Sequence, residues 1–285
     1  MQFLRQYGHV MLIVPAAFLV VSFFIIPLLI LMMISFYQYD PYGYMSRKEI
    51  LTLQNYKTYL FESWYLGTIW TTMKLSGIGT LIALVCGYPI AYHIVRLLSP
   101  RKMKFLLITV ILSFLMSFIS RLYSWMAMLS SYGVINSVLV YLGFKKLELI
   151  FNETGVVIGL ALYSIPFVVL TLLGPIKNID PALEEAANGL GAREAKTFLK
   201  ITLPLSLPGV ISAGLLTYTL CISAFAIPIV LGGGKVWMMG NLIYTKFTES
   251  PNYPLGAAIS VICLLIALIT TYLLNIYLSK RMKTA

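Results

Sequence analysis

With 285 residues, 59% of them hydrophobic, 11% charged and a mean hydropathy of +0.87, the chain is excluded from the ordinary soluble domains, which carry about a quarter charged residues. Its net charge of +11 does not indicate nucleic-acid binding, because most basic residues flank apolar runs and none gathers into a basic tail. The runs of Leu, Ile, Val, Phe and Met are long enough for bilayer-spanning helices, which need about 20 apolar residues each, so the expected class is an all-α, polytopic helical membrane protein.

In chain order, the first run, Val10 to Phe36, is too long for the apolar core of a secretory signal, and no small-residue cleavage site follows it. It reads as a retained helix, kinked or broken near Pro15 and Pro27. The second, Thr68 to Val95, holds Gly77, Gly79, Gly87 and Pro89, which predicts close packing and a bend. Phe105 to Leu129, Val156 to Leu173 with Pro166, Gly209 to Leu231 with Pro228, and Leu255 to Leu278 complete six expected spans. Three intervening stretches (Asp40 to Trp64, Leu129 to Thr154 and Gly232 to Pro254) read as loops. Their aromatics suit either membrane-interface anchors or a platform for an external partner. None of them is long enough for a catalytic domain.

Orientation follows from Lys and Arg. With the N-terminus inside, Arg5, Arg96, Arg101, Lys102, Lys104, Lys177, Arg193, Lys196, Lys200, Lys280, Arg281 and Lys283 fall inside. Arg47, Lys48, Lys57, Lys145, Lys146, Lys235 and Lys246 fall outside. This bias predicts both termini in the cytoplasm. Lys74 lies within a span and either snorkels or faces a translocation interface; Arg121, at the outer edge of one, is a candidate for partner contact or for local structure. Cys86, Cys221 and Cys263 read as small buried apolar residues, and His9 and His93 are isolated, so no metal site is expected.

The most polar stretch is EEAANGLGAREAKTFLKITLP, Glu184 to Pro204, on the cytoplasmic side in this orientation. Asp180-Pro181 is a helix start, since Asp caps free N–H groups and Pro suits the first helical position. Glu184 and Glu185 then lie near the positive helix end. Gly189 and Gly191 permit a stop and a tight turn, Ala192 to Leu199 resumes helix, and Pro204 and Pro208 are expected to break it before the next span. Two short bent helices with a thin Ala186-Ala187 face suit docking into a cleft of another protein. A helix lying on lipid would want a larger apolar face than Phe198 and Leu199 supply.

This segment resembles the EAA loop of permease subunits from type I binding-protein-dependent ABC importers. That pattern is E-A-A, three residues, G, nine residues, I-x-L-P. Here it stands as Glu185-Ala186-Ala187, Asn188 to Leu190, Gly191, Ala192 to Lys200, then Ile201-Thr202-Leu203-Pro204, about 100 residues from the C-terminus. The resemblance implies one permease domain over 1–285 with six transmembrane helices, both termini cytoplasmic and a coupling loop at about 177–206. It implies a multi-pass bacterial inner-membrane location, and partners comprising a second permease, two ATPase subunits and an external solute-binding protein. Glu184, Glu185, Ala186, Ala187, Gly191 and Arg193 form the implied ATPase-coupling set. Within it, Glu185 makes polar contacts, Ala187 allows close approach and Gly191 makes the bend.

Ser120 to Phe144, with Arg121 and the G-x-x-N element at Gly133 to Asn136, and Leu231 to Ala258, with GG…GN-x-I…F…P-x-G-A-A, resemble the spermidine/putrescine-type branch. That branch also serves opines, aminoethylphosphonate and ferric iron, which stay open as cargo. Tyr123, Trp125, Tyr163, Tyr218 and Phe225 are candidates for a substrate pathway, since aromatic faces attract cations, or for core packing. Arg121 is the candidate for binding-protein contact. Gly232-Gly233-Gly234-Lys235 is followed by Val236, not Ser or Thr, so it is no phosphate-binding loop, and no cofactor is expected in this chain. ATP and Mg are expected on the partner ATPase. No paired nucleophile and base at membrane depth supports an intramembrane enzyme, and a secondary transporter is usually larger, with polar residues on discontinuous spans.

Overall fold

The computed structural model describes Pro15 and residues 18–39, 51–96 and 99–284. The start of the first run, His9, residues 40–50 with Arg47 and Lys48, and the side chains of Lys280, Arg281 and Lys283 lie outside the described residues. The helices are α1 (Phe18–Ser35), α2 (Gln54–Phe61), α3 (Ser63–Arg96), α4 (Pro100–Leu115), α5 (Phe118–Leu129) and α6 (Val134–Tyr141). They continue with α7 (Glu153–Lys177), α8 (Pro181–Gly189), α9 (Glu194–Ile222), α10 (Ala226–Gly232), α11 (Met239–Thr248) and α12 (Tyr253–Thr284). Among the described residues the β-structure is one isolated bridge between Tyr37 and Leu51.

Five helices are long and apolar enough to cross a membrane, and a sixth crossing results if a bent pair, Arg101–Leu115 with Phe118–Tyr141, counts as one span. The third expected span is therefore not straight: the pair turns by 101°. Met116 and Ser117 are extended at the break, with ψ of 139° and 128°. The fifth expected span is likewise divided, with α9 ending at Ile222 and α10 beginning at Ala226. All three stretches read as loops contain a helix, α2, α6 and α11 respectively.

Prolines shape α1 and α9 without stopping them. Each helix contains a π-helical turn, Val21–Ile25 and Phe198–Thr202, closed by a bond from the N–H of residue i to the carbonyl of i−5: Ile26 to Val21, and Leu203 to Phe198. In both, the donor immediately precedes a proline, Pro27 or Pro204. A proline has no N–H and its ring crowds the carbonyl four residues back, and one widened turn relieves both while helix continues. Pro204 and Pro208 thus do not break the chain before the fifth span, contrary to the expectation from their identity.

Two contact-defined units divide the chain, 1–66 with 242–264 and 67–241 with 265–285. In the first, Asn55 is buried and donates to the carbonyls of Ser35 (3.0 Å) and Tyr37 (2.8 Å), and Ser35 shares a 2.6 Å hydrogen bond with Tyr56. In the second, one apolar cluster gathers Leu75, Leu122, Val156, Leu160, Ile227 and Leu231, and another gathers Ala83, Tyr88, Ile94, Val168, Leu172 and Ile176. The close packing expected of α3 is seen at Gly87, where an added Cβ would lie 2.7 Å from Val168 Cγ1. Cys221 and Cys263 are buried, but Cys86 is exposed. It shares a stripe of α3 with exposed Leu81, Ile82, Val85 and Ile90, an apolar face that in a membrane protein meets lipid or another subunit instead of its own core.

Candidate functional site: the α8 segment

The polar stretch begins as its residues dictate. Asp180 accepts a hydrogen bond from the Ala182 N–H (2.9 Å) and Pro181 opens α8. The helix ends in a Schellman motif, with Ala192 N–H on the Ala187 carbonyl and Gly191 N–H on that of Asn188, both at 3.0 Å. Gly191 has φ +82°, the left-handed conformation this motif requires and which side chains resist. The chain then re-enters helix at Glu194, so the expected short first helix and glycine bend are present, but the second helix is not a separate short one: it runs on into the span as α9.

Its two faces differ sharply. Glu184 and Asn188, four apart, lie on one side of α8, where Glu184 is half-buried and Asn188, though exposed, is hydrogen-bonded to α9. Glu184 Oε1 accepts from Thr202 Oγ1 at 2.6 Å and lies 3.3 Å from Arg96 Nε; the two charged side chains are 15% and 10% exposed. Arg96 Nη2 also donates to the Ile179 carbonyl (2.7 Å), and Thr197 donates to Asn188 Oδ1 (2.9 Å). Phe198, in the wide turn of α9, packs edge-on against Tyr88 and Tyr92 of α3, and Tyr88 bonds Ser206 at 2.6 Å. The opposite side presents Leu183, Glu185, Ala186, Gly189 and Leu190 to the exterior, with Arg193 exposed beyond the bend and Ala187 half-buried. Beside α8 a groove of about 680 Å³ is lined by Tyr92, Val95, Glu185, Asn188, Glu194 and Leu199, among others.

Of the six candidate coupling residues, Glu184 alone is tied up inside. Arg96, Thr197 and Thr202 escaped the sequence reading. The four-residue spacing of Glu184 and Asn188 was the available signal for an inward polar stripe, but Arg96 carried only a topology signal.

The aromatic candidates do not form one group. Tyr163 stacks with Phe118 (5.2 Å between ring centres) and Phe167 (5.4 Å), and Arg121 lies over Phe118 and Trp125 at 6.0 and 5.6 Å. Tyr218 is buried, while Tyr123 and Phe225 are about half exposed elsewhere. Arg121 donates to the Ser113 carbonyl (2.6 Å), a local role. Lys74 is held by both carboxylate oxygens of Glu153, at 2.7 and 2.8 Å. Asn136 and Asn241, the asparagines of the Ser120 to Phe144 and Leu231 to Ala258 sequence elements, are buried staples. Asn136 joins Ser130 and Leu147, and Asn241 accepts from Met238 N–H (2.7 Å) while donating to the Val236 carbonyl (3.2 Å).

A multi-pass helical fold with two bent helices joined to its spans, bonded inward on one side and bare on the other, is the architecture of a membrane permease subunit. The chain belongs to the family of binding-protein-dependent transport system inner membrane components, whose model matches residues 105–284. It is 33% identical over 243 residues to the spermidine/putrescine transport system permease protein PotB of Haemophilus influenzae, covering 85% of this chain and 84% of that one. It is 33% identical over 244 residues to PotB of Escherichia coli K12 (85% and 87% covered), and 29% identical over 255 residues to the inner membrane ABC transporter permease protein YdcU of the same organism (85% and 80%). Its fold matches a chain of the bacterial alginate ABC transporter, crystallised with its alginate-pentasaccharide-bound periplasmic protein, with a TM-score of 0.79 at 19% identity, covering 98% and 96%. A chain of the inward-facing MetNI methionine ABC transporter matches with 0.56 at 17%, covering 78% and 96%.

Proposed function

We propose that this permease subunit imports a polyamine of the spermidine/putrescine class, and that α8 with the start of α9 is its docking element for an ATP-hydrolysing subunit. The observation that carries the docking role is the two-faced α8, anchored inside through Glu184 and Asn188 and presenting Glu185, Ala186 and Leu190 outward. A hydrogen-bonded face, with Glu184 half-buried, fixes the helix, and an exposed face containing Leu190 at 90% exposure suits a protein partner better than solvent. The Lys/Arg bias supports a cytoplasmic position for this face and for both termini. ATP and Mg belong to the ATPase subunits in this reading, two per complex, with a second permease completing the pathway and an external solute-binding protein delivering cargo.

The cargo rests on the polyamine named for the PotB relatives. Glu153, at the start of α7, is already engaged by Lys74, so that carboxylate is not free for a polycation. Cargo selection is accordingly assigned to the binding protein, and the permease responds to its arrival by switching between inward-open and outward-open states.

The test is purification of the chain co-expressed with its candidate ATPase, partner permease and binding protein, followed by ATP-dependent uptake of labelled spermidine into proteoliposomes. An assembled complex that takes up spermidine is the expected result. A chain that recovers no ATPase refutes the docking role, and an active complex indifferent to spermidine and putrescine refutes the cargo.

A further inference from the structure

At a single carboxylate oxygen, three helices meet. Glu184 Oε1 of α8 faces Arg96 Nε, the last residue of α3, at 3.3 Å, and receives the Thr202 hydroxyl of α9 at 2.6 Å. Arg96 also grips the Ile179 carbonyl at 2.7 Å, one residue before the Asp180 cap, so one guanidinium holds both sides of the corner from which α8 starts. Thr202 is fully buried and Ile179 nearly so. None of Arg96, Ile179 or Glu184 falls on a fixed position of the E-A-A…G…I-x-L-P pattern.

We propose that Arg96, acting through Glu184, is a positioning strut that makes the second span move with the docking helix, and so sets how much solute each ATP moves. The inference rests on the docking role proposed above. With side chains 10% and 15% exposed, the pair is screened less than a surface pair, although both partners also line the groove beside α8. With Thr197 and Thr202 securing the same face to α9, a movement of α8 is shared with α3 and α9. Glu185, its neighbour, points outward and is free of this task. The two glutamates divide the work: the first faces the spans and the second faces the exterior.

The test uses the full reconstituted complex with Glu184→Gln and Arg96→Lys. Glu184→Gln keeps an acceptor for Thr202 while withdrawing the charge, and Arg96→Lys keeps the charge but lacks the fork that reaches both Ile179 and Glu184. The readout is labelled spermidine moved per ATP hydrolysed, with stimulation of hydrolysis by the loaded binding protein read alongside. Expected is a fall of about tenfold in that ratio for Glu184→Gln, within the range of coupling between linked sites, and a smaller fall for Arg96→Lys. The strut is overturned if both variants keep the wild-type ratio and stimulation, or if uptake falls only in step with the amount of assembled complex. A wild-type chain that recovers no ATPase overturns the docking role and this inference with it. A wild-type complex that hydrolyses ATP but carries no spermidine overturns the cargo alone, and binding-protein stimulation then decides the strut.

Discussion

Arg121 donates from Nη1 to the carbonyl oxygen of Ser113 at 2.6 Å, across a 101° bend that no proline or glycine marks. A helix that stops leaves its last carbonyls without N–H partners inside the helix, and each needs another donor. The guanidinium, held over Phe118 and Trp125, supplies one of the missing donors. Arg121→Ala should therefore cost about 1.5–3 kcal/mol, the worth of a hydrogen bond from a charged group. Thermal unfolding of the detergent-purified protein measures this, and Arg121→Lys should lie between the two. An unaltered midpoint for Arg121→Ala would show that the bend holds without it.

Gly191 and Gly189 should respond in opposite senses to alanine. An added Cβ meets nothing within 4 Å at either position, so space is not the issue. Gly191 has φ +82°, where a side chain costs about 1–2 kcal/mol. Gly189 closes α8 in helical conformation, where alanine gains up to about 1 kcal/mol. Recovery of the ATPase on affinity-tagged variants should fall for Gly191→Ala and hold for Gly189→Ala. Equal recovery would detach the Schellman turn from docking.

Asn136 and Asn241 should behave as structural residues despite their place in recognisable sequence elements. Asn136→Leu removes three hydrogen bonds to the backbone of its own hairpin, and each buried group left unpaired costs about 1–3 kcal/mol. Asn241→Leu strands the Met238 N–H and the Val236 carbonyl. Both variants should lower protein yield and thermal midpoint before any change in spermidine per ATP appears. A variant of normal stability that lost uptake selectively would instead assign that asparagine to transport.

Orientation is open to direct measurement at two exposed positions. Tyr132, 90% exposed, lies in a segment assigned outside, and Arg193 in one assigned inside. In a background without native cysteines, a membrane-impermeant maleimide should label Tyr132→Cys on intact cells and Arg193→Cys only after permeabilisation. The reverse pattern would invert the topology.

The sequence made the helical membrane class, the position of most spans and the capped helix with its glycine bend legible, because apolar length, Asp-Pro capping and glycine placement are local signals. The bend at Met116-Ser117 was not, since neither residue is a helix breaker and its support comes from Arg121 farther along the chain. Pro204 misled for the complementary reason: its rule is local, but the widened turn that absorbs it is a property of the whole helix. Glu184 was legible as part of the segment and illegible in its direction, because Arg96 is remote in sequence. Cys86 shows the same limit, as apolar surroundings in sequence do not distinguish a core from a face turned to lipid or to another subunit.

Because α9 runs unbroken from Glu194 to Ile222, its 29 residues make a rod of roughly 44 Å at 1.5 Å per residue. One end carries the polar turn after Gly191 and the other stops at Ile222, just ahead of α10. Such a rod is softened at the wide turn at Phe198–Thr202, where one hydrogen-bonding register is exchanged for another, and again at Pro208, which cannot donate to the ladder. The turn that Phe198 pins to Tyr88 and Tyr92 thus joins the polar segment and the fifth span in one continuous helix.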